Sequence, residues 1–196
     1  QSDIFSHLLD KKVHIIPHPA DVRKLFELQT KKSERWGLGV LGHRYLGAPN
    51  NLPACISAEM ETFYFSFDLK NPPEEQFFDF YFSPLDFITF VNFARHRLLF
   101  FDTHHFFCYG RFQVDAAALG VPCIGSPTVD TQRELFPLLT LEHPFQFNEA
   151  TKLVRKLKID EEFYNEVVEF AHENVWEFDI KNLHEKFVAM VEEVKK

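Results

Sequence analysis

Cysteine, basic charge and long apolar runs are all scarce in this sequence. Its 196 residues include three cysteines, Cys55, Cys108 and Cys123, whose number and spacing fit neither a disulfide framework nor a zinc or redox motif. No apolar run approaches the ~20 residues that span a bilayer. The first residues, QSDIF, lack the basic and then apolar pattern of a secretion signal. We therefore expect a cytoplasmic, reducing setting and no transmembrane segment.

Acidic residues outnumber basic ones. The chain has 21 Lys and Arg against 29 Asp and Glu, a net charge of −8. Because a nucleic-acid backbone requires clustered basic side chains, this balance argues against nucleic acid as a partner, although it permits a small phosphate site. Hydrophobic residues make up 45% and charged residues 26%, as in ordinary globular proteins, which excludes disorder for most of the chain.

Apolar runs alternate with helical patterns along the chain. Strands are predicted at 13–17, 36–41, 62–67, 78–82, 98–101 and 121–125. Helices are predicted at 53–60, 85–95 and 111–119, from 130 onward for a short stretch, and through the final third, with a polar loop over 43–53. The helix at 85–95 should be mostly buried, because its polar residues recur only at Asp86, Thr89 and Asn92. This alternation predicts an α/β fold, a Rossmann-like open parallel sheet with helices on both faces.

Ligands of such sheets bind at the carboxyl ends of the strands, which directs attention to the segment 103–134. Gly110 leads into a helix start at Arg111, where free N–H groups and the helix dipole favour an anion. The guanidinium of Arg111 suits a phosphate. One turn later, Asp115 can accept hydrogen bonds from a ribose diol, or it can pair with Arg111. A second helix start, at Asp130 and Thr131, offers further N–H groups.

The same segment carries a resemblance to a known family. DAAALGVPCIGS, followed by TVDTQREL, resembles the donor-site signature of retaining, nucleotide-sugar-dependent GT-B glycosyltransferases, which reads E-A-x-A-x-G-x-P-V-I and is followed by a later Glu. The matching residues are Asp115, Ala116, Ala118, Gly120, Pro122, Ile124 and, for the later Glu, Glu134. Three further stretches resemble the interdomain linker, the first strand of the nucleotide-binding half and the C-terminal helix pair: VHIIPHPAD (13–21), GVLGHRY (39–45) and ENVWEFDIKNLHEKF (173–187).

The resemblance covers nearly the whole chain but only the C-terminal half of a complete enzyme. It implies an interdomain linker and the residual end of the N-terminal half at 1–30, a nucleotide-sugar-binding domain at 31–178, and at 179–196 a helix that packs toward the missing half. The whole enzyme would transfer a sugar from a nucleoside diphosphate sugar to an acceptor hydroxyl, with the acceptor held by the missing half. We expect the fragment alone to be inactive. Peripheral membrane contact by the full-length protein stays open.

The resemblance also implies roles for individual residues. Arg44 and Arg111, together with Gly110 and the N–H groups near Thr131, would hold the donor diphosphate. Asp115 would orient the nucleoside, and Glu134 would lie near the donor. Neither a metal nor another cofactor is expected, because this family meets phosphate charge with basic side chains and helix N-termini.

The sequence departs from the family pattern at three places. Phe107 stands where the family has a Glu, seven intervening residues before the acidic residue of the helix, and that residue is itself Asp instead of Glu at 115. Gly42 is separated from Arg44 by a histidine. The catalytic group is therefore unassigned, with His104, His105 and Asp102 as candidates. The adjacent histidines are not expected to bind a metal, because they point in different directions and lack a third ligand.

Two rival functions remain open at the level of the sequence. The first is a binding or interaction domain of the same fold without turnover, which the phenylalanine at 107 supports. The second is a GT-B epimerase or phosphorylase. The scarcity of lysine at the predicted sheet edges argues against the phosphorylase, which needs a lysine for its pyridoxal cofactor.

Overall fold

A five-stranded parallel sheet organises the chain. The computed structural model describes residues 17–42, 48–66, 78–103 and 107–194. The strands run in the order β3-β2-β1-β4-β5. Their bounds are Leu38–Gly42 (β1), Thr62–Ser66 (β2), Phe80–Phe82 (β3), Leu99–Asp102 (β4) and Cys123–Gly125 (β5). In the centre of the sheet, Val40 pairs with Tyr64 on one side and with Phe101 on the other.

Helices cover the sheet on both faces, as the sequence predicts. They are Val22–Glu27 (α1), Ala48–Ser57 (α2), Phe87–Ala94 (α3), Arg111–Ala118 (α4), Asp130–Leu135 (α5), Phe147–Ile159 (α6), Glu161–Asn174 (α7) and Ile180–Val194 (α8), with 3-10 turns at Lys32–Glu34, Pro137–Leu139 and Val175–Phe178. Right-handed crossovers place α2 on one face and both α3 and α4 on the other. Accordingly, α2 packs against α6, whereas α4 packs against α1, α5 and α7.

The core lies along the two central strands. Leu38, Val40, Phe100 and Phe101 are buried almost completely, as expected for parallel strands covered on both faces. Gly39 sits directly beside the ring of Phe100, and a Cβ at Gly39 would overlap that ring. The glycine therefore allows the phenylalanine of the neighbouring strand to lie across the sheet.

Several predicted boundaries differ from the structure. The strand predicted at 36–41 begins at Leu38, the one at 78–82 at Phe80, and the one at 121–125 at Cys123. The helix predicted at 53–60 is α2, which begins at Ala48 inside the predicted loop 43–53 and carries Pro53 in its interior. Because a proline usually occupies the first turn of a helix, the sequence prediction placed the start of α2 at Pro53, too late in the chain. Most of the strand predicted at 13–17 lies outside the described residues.

The prediction that the helix at 85–95 is mostly buried is wrong. In α3 only Val91 and Ala94 are buried, whereas Phe87, Ile88 and Phe93 are exposed. Asp86 caps the helix by accepting a hydrogen bond from the Thr89 backbone N–H at 3.0 Å. The inward side of α3 carries Phe90, whose ring lies 5.4 Å from that of Phe65 in the sheet and 5.9 Å from that of Phe112 in α4. Apolar side chains therefore line the surface between α3 and its neighbours.

Candidate functional site

The strands β1 and β4 are neighbours in the sheet, and the chain proceeds from them toward opposite edges, so their carboxyl ends form a topological switch point. The connection from β1 leads to β2 on one side, and the connection from β4 leads to β5 on the other. Crevices at such switch points are the usual ligand sites of open α/β sheets. The helix α4 follows β4 in the chain, so its N-terminus lies toward the carboxyl edge of the sheet.

Gly110 shapes the entry to α4. It adopts a φ of +85° as the N-cap residue, a conformation that favours glycine. A Cβ at this position would lie 2.5 Å from Oγ1 of Thr131 and 2.7 Å from Oε1 of Gln113. The loop that leads into α4 thus touches the start of α5 so closely that only a glycine fits.

Hydrogen bonds fasten this loop to the segment before α5. The Cys108 backbone N–H donates to the Thr128 carbonyl, and the Asp130 N–H donates to the Cys108 carbonyl, both at 3.1 Å. The Thr131 N–H donates to the Tyr109 carbonyl at 3.2 Å. The Thr131 hydroxyl donates to the Gly110 carbonyl at 2.6 Å. The two segments therefore form one fixed unit at the edge of the sheet.

These bonds overturn one expectation about phosphate binding. The N–H groups of Asp130 and Thr131 donate to loop carbonyls and are not free, and neither residue caps the helix, whose N-cap is Val129. Thr131 is fully buried as well. The sequence could not show this, because the partner carbonyls lie about twenty residues away. Thr131 therefore positions the loop and does not present donors to a ligand.

Arg111 and Asp115 form an ion pair one helical turn apart. Nε of Arg111 donates to Oδ1 of Asp115 at 2.9 Å. Nη1 of Arg111 donates to the Pro19 carbonyl at 2.5 Å and to Nδ1 of His18 at 3.1 Å. Nη2 of Arg111 and Oδ2 of Asp115 have no hydrogen-bond partner among the described residues. The ion pair that the sequence suggested is therefore present, and each side chain still has one polar atom that could contact a ligand.

Burial and charge act in opposite directions on Asp115. The residue is 5% exposed. Burial raises the pKa of its carboxyl group to about 6, although the neighbouring Arg111 and His18 oppose this shift. A carboxylate that is costly to keep charged, yet is held beside an arginine near the carboxyl edge of an open α/β sheet, is typical of a binding site.

Glu134 has acidic neighbours, in contrast to Asp115, which lies beside Arg111 and His18. Partial burial and the charges of Asp130 and Glu177 raise the pKa of its carboxyl group. Its charge also contributes to the raised pKa of Tyr109, after burial, which is the larger cause. No hydrogen bond or ion pair joins Glu134 to Arg111 or Asp115 in the described part of the chain. Because Asp130 and Glu177 add two further carboxylates nearby, Glu134 is better suited to contact a hydroxyl group than a negatively charged phosphate.

Three buried polar residues at the same edge, Asn51, Thr103 and Gln113, were not singled out from the sequence, whereas Asp102 was a candidate for the catalytic group. The Thr103 hydroxyl donates to Oδ1 of Asn51, and Nε2 of Gln113 donates to Oδ2 of Asp102 at 2.7 Å. Asp102 is buried and bonded to Gln113, so its carboxylate is not exposed at the edge of the sheet. Nδ2 of Asn51 and Oε1 of Gln113 are buried without a partner in the described structure. Asn51 and Gln113 lie in stretches that carry other polar residues, and Thr103 lies in a loop, so nothing in the sequence set these three apart.

Three predicted site residues, Arg44, His104 and His105, lie outside the described residues, and their roles stay predictions. Phe107, where the family pattern has a Glu, is 75% exposed at the end of the fastened loop. Among the described residues, no cluster of three or more histidine, cysteine or acidic side chains could hold a metal ion. Within the same ranges, every helix is too short or too polar to cross a membrane.

Solved structures share this fold at low sequence identity. The sucrose-phosphate synthase of Thermosynechococcus elongatus matches 98% of this chain with a TM-score of 0.72 and 12% identity, and the match covers 56% of that protein. WaaG, a glycosyltransferase involved in lipopolysaccharide biosynthesis, matches 90% of this chain with a TM-score of 0.67 and 12% identity, over 55% of its own length. The chain thus spans about half the length of these structures.

A third structure is matched over nearly all of its length. It is the C-terminal domain of a group 1 family glycosyl transferase from Francisella tularensis, with a TM-score of 0.59 and 12% identity over 84% of this chain and 97% of that one. No family model matches the sequence, and no curated protein matches it. The likeness shows the fold, that of the C-terminal domain of GT-B glycosyltransferases.

Proposed function

We propose that this chain is the donor-binding domain of a glycosyltransferase. Joined to an acceptor-binding half, it would transfer a sugar from a nucleoside diphosphate sugar to an acceptor hydroxyl. The observation that carries the proposal is the Arg111–Asp115 pair. It lies at the switch point of the sheet, where the Asp115 side chain is buried and the Arg111 side chain is 32% exposed, and each partner keeps one polar atom without a hydrogen-bond partner among the described residues. The structures that share the fold include several glycosyltransferases.

Each residue of the pair has its own task in this proposal. Oδ2 of Asp115 accepts a hydrogen bond from a ribose hydroxyl, as acidic residues do in dinucleotide folds. Nη2 of Arg111 donates to the diphosphate, where it stabilises the negative charge that grows on the leaving group. Gly110 lets the loop pack against the start of α5 on the way into the helix, and Thr131 holds the loop in place. Arg44 is the second candidate for the diphosphate.

Glu134 completes the proposed donor site. Its raised pKa and acidic neighbours favour contact with hydroxyl groups of the donor over contact with phosphate oxygens. His104 and His105 remain the candidates for the sugar-facing side, because they follow β4 directly. No metal or other cofactor is assigned a role, since basic side chains supply the positive charge.

A second function is favoured by one specific observation. Phe107 projects into solvent where glycosyltransferases of this pattern carry a carboxylate, so the described structure shows no acid at this position. The same fold would then bind a nucleotide sugar without transferring it. A labelled nucleotide sugar, incubated with a chain that includes an acceptor-binding half, separates the two functions. Labelled acceptor product supports transfer, and binding without product supports the non-catalytic domain.

Isothermal titration of the 196-residue chain with UDP and with GDP tests the donor site. We expect weak binding of at least one nucleotide. Asp115→Ala and Arg111→Gln should each weaken it by roughly tenfold or more, as expected for a hydrogen bond to a charged group. Arg155→Gln is the matched control, because this exposed arginine also donates to a carbonyl, that of Ser57. Unchanged affinity in both site variants would refute the assignment.

A further inference from the structure

His18 lies beside the arginine of the candidate site, on the segment that precedes α1. Nη1 of Arg111 donates to Nδ1 of His18 at 3.1 Å and to the Pro19 carbonyl at 2.5 Å. The two hydrogens of Nη1 are therefore divided between two acceptors of one segment, while Nε donates to Asp115. These bonds hold the guanidinium from two sides and leave Nη2 without a partner among the described residues.

The segment that carries these two acceptors is itself anchored. The Ala20 N–H donates to the Phe178 carbonyl at 3.0 Å, and the Ile180 N–H donates to the Ala20 carbonyl at 2.9 Å. Ala20 is also buried. The ring of His18 lies 6.4 Å from the ring of Tyr109, in the loop that enters α4. The segment thus joins the start of α8 to the start of α4, so the histidine holds the arginine from a fixed base.

The protonation state of His18 decides whether this contact exists. A guanidinium has only N–H donors, so Nδ1 must be the acceptor, and the proton of the neutral ring must be on Nε2. A second proton would turn Nδ1 into a donor, and the Pro19 carbonyl lies 3.3 Å from it. The charged ring would then compete with Arg111 for that carbonyl and repel the guanidinium. One proton therefore separates two arrangements of the same three groups.

The charged and titratable side chains that face His18 lie on α4 and on the loop before it. Among the described residues they are Arg111, Asp115 and Tyr109. Burial raises the pKa of Asp115 to about 6, and the charges of Arg111 and His18 oppose this shift. Burial and, after it, the charge of Glu134 raise the pKa of Tyr109, so its hydroxyl stays neutral. Asp115 is therefore the neighbour whose titration must be separated from that of the histidine.

We infer that His18 is a positioning residue for Arg111. The neutral ring holds the guanidinium in the arrangement that leaves Nη2 available, and the protonated ring releases it. This inference rests on the proposed function, in which Nη2 meets the donor diphosphate. Histidine is the side chain that ordinarily changes its charge between pH 5 and 8. Donor affinity therefore depends on a proton held outside the donor site, and it falls as the solution becomes acidic.

Calorimetry with UDP and GDP at about pH 8 compares the parent chain with His18→Asn and His18→Phe. An asparagine places its amide oxygen close to the position of Nδ1, so His18→Asn should bind like the parent chain. His18→Phe should bind about fivefold more weakly, the loss expected for one hydrogen bond. His143→Asn and His143→Phe are the matched controls, because Nδ1 of this exposed histidine also accepts a hydrogen bond, from the Phe145 N–H at 3.3 Å. Equal affinities of the parent chain and His18→Phe would overturn the inference.

The same titrations at about pH 5.5 test the release of the arginine. The parent chain should lose about fivefold in affinity relative to His18→Asn, because the asparagine is not protonated in this range. Asp115 and the nucleotide titrate with both proteins, so the ratio of the two affinities reports His18. A constant ratio would contradict the inference, as would tighter binding by the parent chain because a cationic ring attracts the diphosphate. This ratio still decides the outcome if circular dichroism shows that His18→Phe does not fold.

Nitrogen NMR of the His18 ring tests the contact without a nucleotide. At about pH 8 we expect the Nε2–H tautomer in the parent chain. Arg111→Leu should show a larger share of the Nδ1–H tautomer, because the leucine donates nothing to Nδ1 and leaves the Pro19 carbonyl to the ring. The same tautomer ratio in both proteins would overturn the inference. If neither nucleotide binds while the tautomers change as expected, the proposed function fails and the positioning of Arg111 by His18 stands.

Discussion

Asp115 is a buried acidic residue, and its charged form is disfavoured by burial but stabilised by a neighbouring arginine. Its partner Arg111 approaches at 2.9 Å and opposes the effect of burial on its carboxyl pKa. The sequence indicates both that these two residues share a helix face and that they can pair. It could not indicate that Arg111 also reaches Pro19 and His18, because that contact joins segments more than ninety residues apart.

The pKa of Asp115 predicts how stability depends on pH. Burial raises it from 3.8 to about 6, so the folded state binds the proton more tightly than the unfolded state does. The stability that protonation provides is fully present below about pH 4 and is lost as pH rises through 6. The free energy of unfolding of Asp115→Asn minus that of the parent chain should therefore increase as pH rises over that range, by up to about 3 kcal/mol.

Urea unfolding of both proteins at several pH values between 4 and 7 measures this difference. The variant also leaves Arg111 without its partner, which shifts the stability of the variant by a constant amount. The prediction thus concerns the slope of the difference with pH and not its sign. A difference that stays flat across the range would show that the carboxyl group titrates normally in the fold.

The helix α4 carries the candidate site at its start and depends on a separate network at its end. Nη2 of Arg35 donates to the Leu119 carbonyl at 2.8 Å, and Nη1 donates to the Gly120 carbonyl. Nε2 of Gln29 donates to the Ala118 carbonyl at 2.8 Å and to Nε2 of His172 at 2.9 Å. The last carbonyls of the helix are thereby satisfied by side chains of the segment between α1 and β1.

Removal of the arginine from this network should destabilise the whole domain. We expect Arg35→Leu to lower the free energy of unfolding by about 2 to 3 kcal/mol, because charge-assisted bonds are lost and buried carbonyls are left unpaired. Arg155→Leu is the matched control, since its single bond to the Ser57 carbonyl is exposed and long at 3.3 Å. Denaturant midpoints of the two variants measure the contrast, and equal midpoints would count against the network.

The accuracy of the sequence predictions varied from element to element. The apolar runs that became β1, β2 and β4 were located well, because buried parallel strands leave a continuous apolar signal. The exposure of α3 was not predicted, since periodicity shows that a helix has apolar faces but not whether anything covers them. The start of α2 was misplaced because Pro53 lies inside the helix and does not mark its first turn.

At the scale of the whole molecule, the order of strands and helices predicted the fold, and the comparison with solved structures confirmed it. The candidate site was predicted only in part. Gly110, Arg111, Asp115 and Thr131 do lie together, but the hydrogen bonds that occupy the N–H groups of Asp130 and Thr131 depend on tertiary contacts. Local sequence carries no record of such partners.

Hydrogen exchange of the 196-residue chain, with and without saturating UDP or GDP, tests the central claim most directly. The account predicts slower exchange for amides in the loop and first turn of α4, residues 107–115, and in the segment 126–134. Exchange in α7, at Glu161–Asn174, should not change. Nucleotide binding that slows exchange only at the amino ends of the strands, or no change in the loop despite binding, would contradict the claim.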